Sequence, residues 1–595
     1  MTKQRSEIAS KYKWNMRAMY KDQAEWEADY ARALTLAEDY GKFSGKLGQD
    51  AKTLLAAFKA ADAVWQVTEK VFVYARMRRD EDNRVAKYQV LSDRAQALIA
   101  KVGAALSFFT PEFLAIPRKK LDEFMTTGKG LKQYAYTVQV LLREKAHVLK
   151  KDQEHLMAQL GEVLGSTNEV FSMFNNADLR FGNIKDEKGV STELTHGNYI
   201  RFMESPNRFV RRSAYEKMYA AYGAHINTLA VNYAYNTKVD VVTSRIRGYK
   251  SSLVRALSAD NVPESVYDNL IRIVNENLGS LHRYMDLRRR ILKVGKLKMY
   301  DVYVPLYSLK KDKTDFSQAV KLMKQGLAPL GKEYISRLSD GVKAGWIDVF
   351  ENVGKTSGAY SFGSYDSMPY VLMNFSGKLK DVFTLVHEMG HSMHALYTRE
   401  TQPFRYGGHS IFTAEVASTV NESLLMHHLL ETRKSKAEQR YFINLYLEEF
   451  RTTLFRQTMF AEFERYTHAE AEAGVPLTAA ALSDAYGKLN AKYFGPCVET
   501  DAQISMEWAR IPHFYRAFYV YKYATGYSAA TAIADRILTQ GAPAAEKYIR
   551  FLKTGESADP IDLLQIAGVD MSRPEPVENA MQVFSGLVDK LEQLI

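Results

Sequence analysis

Apolar residues recur every three or four positions over most of the chain, in segments around 51–79, 84–109, 206–245, 263–294, 315–339, 436–472 and 541–553, many ending at Gly or Pro. That period lines up the apolar residues of a segment on one face of an α-helix, so a chain patterned this way buries its apolar surface by packing helix on helix. The expected fold is mainly α. Strand patterns are few: 179–194 ("LRFGNIKDEKGVSTEL") reads as a β-hairpin turning at Lys188 and Gly189, 299–306 alternates, and 345–350 can pair with 369–377 in a small sheet. No repeat and no low-complexity linker interrupts the pattern. The Pro-containing stretches 107–120 and 202–209 are the candidate boundaries, dividing a helical N-terminal part (1–200, with the hairpin) from the rest (201–595).

Composition narrows the chemistry. Hydrophobic residues make up 46% and charged residues 25% of 595 positions, values of an ordinary globular protein with ample core. Cys497 is the only cysteine, which excludes an internal disulfide and a cysteine-based metal site; any metal has to be held by His and carboxylate. No long uncharged apolar run appears and the opening "MTKQRSEIASKYKWN" lacks the apolar core of a secretory signal, so no membrane partner and a cytoplasmic location are expected. The formal charge of +11 raises the question of a polyanion. However, acids interrupt the basic stretches 77–84 and 310–315, and 287–298 alternates with apolar residues; these read as solvated helix faces, and no nucleic-acid partner is expected.

One stretch carries chemistry. In "DVFTLVHEMGHSMHALY" (381–397) His387 and His391 stand four apart with Glu388 between them. H-E-x-x-H arises by chance in about one chain in fifty of this composition, so its context decides. The stretch is periodic and free of Pro, hence helical, and the spacing sets both imidazoles on one face, in reach of a single ion at about 2.0–2.1 Å. Glu388, one residue round, is placed to take a proton from a water in the open position of a Zn²⁺ ion.

A catalytic zinc needs a third protein ligand. His394 shares the arc, but seven residues separate it from His387, about 10.5 Å along the helix axis, which suits a place behind the ligands or in the core. The better candidate is Glu415 in "SIFTAEVASTVNESLLMHHLL" (410–430), a second helix after a Pro- and Gly-containing reversal; Glu422, Asn421 or Ser418 could then orient a ligand from behind. For the oxyanion of amide hydrolysis, "ARIPHFYRAFYVYKYATGY" (509–527) offers His513 with Tyr519, Tyr521 or Tyr523 as donors. The stretch 358–377 ends in an apolar strand whose edge would bind an extended peptide, with Tyr370 and Asn374, and Tyr527 from the later stretch, as candidate substrate contacts.

Four of these segments, "TLVHEMGHSMHALY", "FTAEVASTVNES", "PYVLMNFSG" and "HFYRAFYVYKYATGY", together resemble the oligoendopeptidase F branch of the thimet-oligopeptidase-like zinc peptidases, over about 200–585, and "YKWNMRAMYKDQAEWEADY" resembles that family's start. The resemblance implies a zincin-like catalytic core with a small sheet, two helical halves flanking a deep channel, one zinc ion, and endopeptidase action on short peptides but not folded proteins. It implies His387, His391 and Glu415 as ligands, Glu388 as catalytic acid/base and His513 as a substrate-binding residue, and leaves Tyr519, Tyr521 and Tyr523 as equal candidates. The competing readings are a zincin-type exopeptidase, such as a dipeptidyl carboxypeptidase, and a non-catalytic helical protein holding zinc or a polyanion.

Overall fold

The computed structural model describes residues 2–309 and 313–595; Lys310, Lys311 and Asp312, which open the basic stretch 310–315, lie outside the described residues. The chain forms two compact units, each gathered from three stretches: Met1–Ala146, Asp312–His428 and Ile533–Gly568 in the first, His147–Lys311, Leu429–Ala532 and Val569–Ile595 in the second.

The first unit is founded on three helices, Gln23–Tyr40, Ala51–Glu81 and Ala86–Leu106, the first two started by Asp22 and Asp50 accepting backbone N–H groups of the first turn. Their facing stripes meet in one core that holds Trp26, Val64, Val71, Leu91, Ala95, Leu98 and Val102. Among the described residues Ala86–Ala115 alone is long and apolar enough to cross a membrane. It is divided between Ala86–Leu106 and Phe109–Ala115, and the apolar face of the longer helix lies in that core. Tyr370 and Leu372 close the same core from a three-stranded sheet. Its central strand, Tyr370–Leu372, pairs in parallel with Ile347–Asp348 and antiparallel with the edge strand Tyr360–Phe362, so the pairing expected of 345–350 and 369–377 forms. Asp348, buried, accepts from Arg5 at 2.6 Å and pairs with Lys355 at 2.7 Å, which anchors the N-terminal segment to the sheet.

In the second unit the hairpin forms as expected, Asn183–Lys185 against Ser191–Glu193, with Gly189 at φ +78° in the turn. The strand expected at 299–306 does not. The strand that does form, Leu297–Lys298, lies just before it and pairs with Val498–Glu499, and Met299–Asp301 turns into a 3₁₀ helix. The cause is Asp301, whose buried carboxylate accepts from the Lys298 N–H and from Arg208 and Arg211, curling the backbone round it. Long periodic segments also divide. At Asn277 the side-chain amide donates to the Ile273 carbonyl and separates Glu264–Glu276 from Leu278–Ile291. A π-helical turn, Phe450–Phe455, lies between Lys436–Glu449 and Arg456–Glu472. The latter helix presents Phe460 and Phe463 to Phe514, and Arg456 to the fully buried Glu507 at 2.9 Å. In the first unit 315–339 breaks at Pro329 and at Gly331, whose φ is +94°.

Candidate metal centre

The H-E-x-x-H segment is helical over Leu379–Thr401. The helix begins where Asp381, in its first turn, accepts from Ser376 N, Ser376 Oγ and Lys378 N at 2.8, 2.8 and 3.0 Å. Val382, Leu385, Val386, Met389 and Met393 are fully buried and seat the helix, while His387 and His391 remain half-buried. Glu415 reaches them from the second helix, Ile411–Thr432. The two Nε2 atoms lie 3.2 Å apart, and Glu415 Oε2 lies 3.3 Å from His387 and 3.5 Å from His391. A tetrahedral ion with bonds of about 2.0–2.1 Å has ligand-to-ligand edges of about 3.3–3.4 Å, so this triangle has the size of one tetrahedral face. The donor set, two imidazoles and a carboxylate, suits a divalent transition metal.

Each donor has support behind it. Glu422 Oε2 lies 3.2 Å from His387 Nδ1, leaving Nε2 as the metal-facing nitrogen, and Ser418 donates to Glu415 Oε2 at 3.2 Å. Asn421, fully buried, donates to the Val386 carbonyl of the motif helix at 3.3 Å and accepts from Tyr334 at 3.2 Å, clamping the second helix to the first. The donors also act on one another electrostatically. Burial would raise the Glu415 carboxyl, but His387 and His391 hold it well below the carboxylate range; burial would lower His387, but Glu415 and Glu422 hold it well above its ordinary value. Burial raises the Glu388 carboxyl, 7% exposed, against the pull of His387 and His391. Glu422→Ala is expected to weaken metal binding by about 10–100-fold with the fold intact, read by competition with a chromophoric chelator.

The remaining candidates separate into two groups. His513 stacks on Tyr519 (centroids 6.0 Å apart, planes at 16°) and Tyr523 stands edge-on to both, at 6.0 and 5.5 Å, so these three form one cluster. Burial, with Arg516 nearby, lowers the His513 imidazole and keeps it neutral. Tyr521 is not in the cluster: two residues from either tyrosine, it projects from another side of the turn and is buried against Tyr267 at 5.1 Å. Tyr527 is likewise a core residue, edge-on to Phe450 at 4.9 Å. The two contacts expected from the sheet are also structural. Tyr370 is fully buried with its hydroxyl on the Asn15 carbonyl, and Asn374 donates to the carbonyls of Thr356 and Gly358. His394 does not back the ligands; it is buried between His409 and Phe551, and burial, then His409, hold it well below its ordinary value.

Comparison with known proteins decides the family. The family model described as peptidase family M3 matches residues 201–583, and one described as Oligopeptidase F matches 112–181. The chain belongs to peptidase family M3. Oligopeptidase PepF of Bacillus subtilis is 44% identical over 591 residues, covering 99% of this M3 chain and 88% of that protein. The plasmid-encoded oligoendopeptidase F of Lactococcus lactis subsp. cremoris is 41% identical across 100% and 99% of the two chains. The crystal structure of oligoendopeptidase-F from Enterococcus faecium superposes with a TM-score of 0.74 at 37% identity, covering 96% and 99%. As a member of M3 the protein is a metalloendopeptidase.

Two features of this M3 centre escape sequence reasoning. Ser361 of the edge strand and Ser392 of the motif helix share a hydrogen bond at 2.8 Å, a pairing of two ordinary serines that carries no signal. Gly390 does carry one, because a glycine inside a helix costs about 1 kcal/mol against Ala. A Cβ there would stand 2.6 Å from Ser418 Cα and 2.7 Å from the Ala417 carbonyl, so the two ligand-bearing helices cross at this glycine. Gly390→Val is expected to destabilise the protein by about 1–3 kcal/mol, more than the few tenths that valine recovers in helix propensity, and to weaken metal binding, both seen in metal-loaded and metal-free melting curves.

Proposed function

We propose that this M3 peptidase is a zinc-dependent endopeptidase that hydrolyses short oligopeptides and does not accept folded proteins. The observation that carries the reading is the triangle of His387, His391 and Glu415, together with Glu388 beside it in a dry setting. The oligoendopeptidase names of its relatives support the size class of the substrate. His387, His391 and Glu415 would hold the zinc; when bound, it polarises the scissile carbonyl and acidifies the attacking water. Glu388 takes the proton from that water and returns it to the leaving amine, a transfer suited to a carboxyl raised by burial. His513, neutral, and Tyr519 or Tyr523 beside it are the kind of hydrogen-bond donors that the oxyanion of the transition state requires. The edge strand Tyr360–Phe362, tied to the motif helix through Ser361, offers main-chain pairing to an extended peptide, which accommodates many sequences.

The test is a mixture of internally quenched peptides of graded length, incubated with and without a chelator and mapped by mass. Internal cleavage of short peptides that persists after C-terminal amidation, stops with chelator and returns with zinc is the expected result. Cleavage that requires a free C-terminus, or that a chelator leaves untouched, would refute the reading.

A further inference from the structure

Phe518 is a bulky residue at φ +55°, in the left-handed region that costs a non-glycine residue of order 1 kcal/mol or more. Its surroundings hold it there. The Phe518 N–H donates to Glu464 Oε1 at 2.9 Å, and its ring, 2% exposed, lies against His468 at 4.4 Å and Tyr267 at 5.8 Å. Glu464 is itself an expensive residue. It is fully buried, no cation pairs with it among the described residues, and its second oxygen has no hydrogen-bond partner. Burial raises its carboxyl well above the ordinary range; the Phe518 N–H opposes the shift and Asp240 adds to it. A buried carboxyl whose one side-chain hydrogen bond goes to the backbone of a strained turn calls for an explanation.

The explanation lies in what the turn carries. Phe514, fully buried on Phe460 and Phe463, fixes one end of the segment, and Phe518 fixes the other. His513 and Tyr519 flank these two anchors, half-buried and stacked on one another. We propose that Glu464 is a positioning residue: it holds Phe518 in the left-handed turn that brings Tyr519 onto His513, and so sets the donor pair for the substrate. The proposal rests on the reading above that His513, with Tyr519 or Tyr523, serves the transition state, and it takes Tyr519, the ring stacked on His513, as that tyrosine. Without the Glu464 acceptor, Phe518 relaxes to negative φ and Tyr519 swings off His513, and a displacement of about 1 Å in such a group costs about 10²-fold in rate.

The experiment compares Glu464→Gln, which keeps an acceptor for the Phe518 N–H, with Glu464→Leu, which removes it, on the metal-loaded full chain. Readouts are kcat and KM on a quenched peptide, metal content and melting. Glu464→Leu is expected to lower kcat by about 10–100-fold with KM and metal content nearly unchanged, and Glu464→Gln to stay within about threefold of wild type. In a His513→Ala/Tyr519→Phe background the Leu substitution is expected to add less than about twofold, because the groups it misplaces are already gone. A folded Glu464→Leu with wild-type kcat, a Gln variant as poor as the Leu variant, or a Leu effect undiminished in that background would overturn the proposal. If Glu464→Leu does not fold, Glu464→Met removes the same acceptor while filling nearly the same volume. Its kcat is expected to fall several-fold, again only when His513 and Tyr519 are present, and an unchanged kcat would overturn the proposal. Wild-type kcat in His513→Ala/Tyr519→Phe itself would overturn the underlying reading, and this proposal with it.

Discussion

Glu388→Gln binds metal at wild-type stoichiometry and loses about 10²–10⁴-fold in kcat, the range contributed by a positioned proton-transfer group. Three observations set this expectation apart from general damage. Glu388 is outside the triangle formed by His387, His391 and Glu415, so removing its charge leaves every donor of the centre in place. It is 7% exposed, and glutamine fills the same volume, so no cavity opens in the helix packing. Burial already raises its carboxyl, so a neutral amide at this position relieves a desolvation cost, and the variant should melt no lower than wild type. Loss of rate with metal content and melting temperature preserved is therefore the signature. Metal analysis beside single-turnover peptide cleavage reads it, and a variant that cleaves within a few-fold of wild type would refute the proton-transfer role.

Local spacing made most of the centre legible in the sequence. An i, i+4 pair of histidines in a Pro-free periodic stretch leaves its imidazoles little choice but one face, and the distance between the two Nε2 atoms, 3.2 Å, is the outcome. Glu415 was legible because it lies on a second periodic segment after a chain reversal, and the axial distance argument that disfavoured His394 agrees with its burial against His409. What stayed hidden depends on partners far along the chain. Tyr370 reads as an exposed strand residue until the three-helix core is known to close over it, and nothing near Asp301 in sequence announces that Arg208 and Arg211 will draw it into a turn. Tyrosines show the same limit. Tyr519, Tyr521, Tyr523 and Tyr527 share composition and neighbourhood, yet Tyr519 and Tyr523 meet His513 while Tyr521 and Tyr527 face Tyr267 and Phe450. Helical phase could separate Tyr521 from its neighbours, but which face is buried is decided by the helices packed against it.

His387→Ala takes metal and activity together. The three donors form a triangle with sides of 3.2–3.5 Å, and deleting one corner leaves His391 and Glu415 to hold an ion alone, so metal affinity should fall by more than the roughly 10–100-fold expected for the supporting Glu422. Peptidase activity then drops to background at micromolar metal. The loss should not come from unfolding, because His387 is only half-buried and alanine at this position lets water reach Glu415 and Glu422. The contrast with His394→Ala makes the prediction specific. His394 is 2% exposed and packed on His409 and Phe551, so its removal opens a cavity and lowers the melting temperature while metal stoichiometry is retained. Equilibrium dialysis against graded zinc, run beside melting curves on both variants, separates the two losses. Wild-type metal affinity in His387→Ala would mean that the triangle is not the metal site, because losing the corner that Glu422 orients has to weaken a three-donor centre.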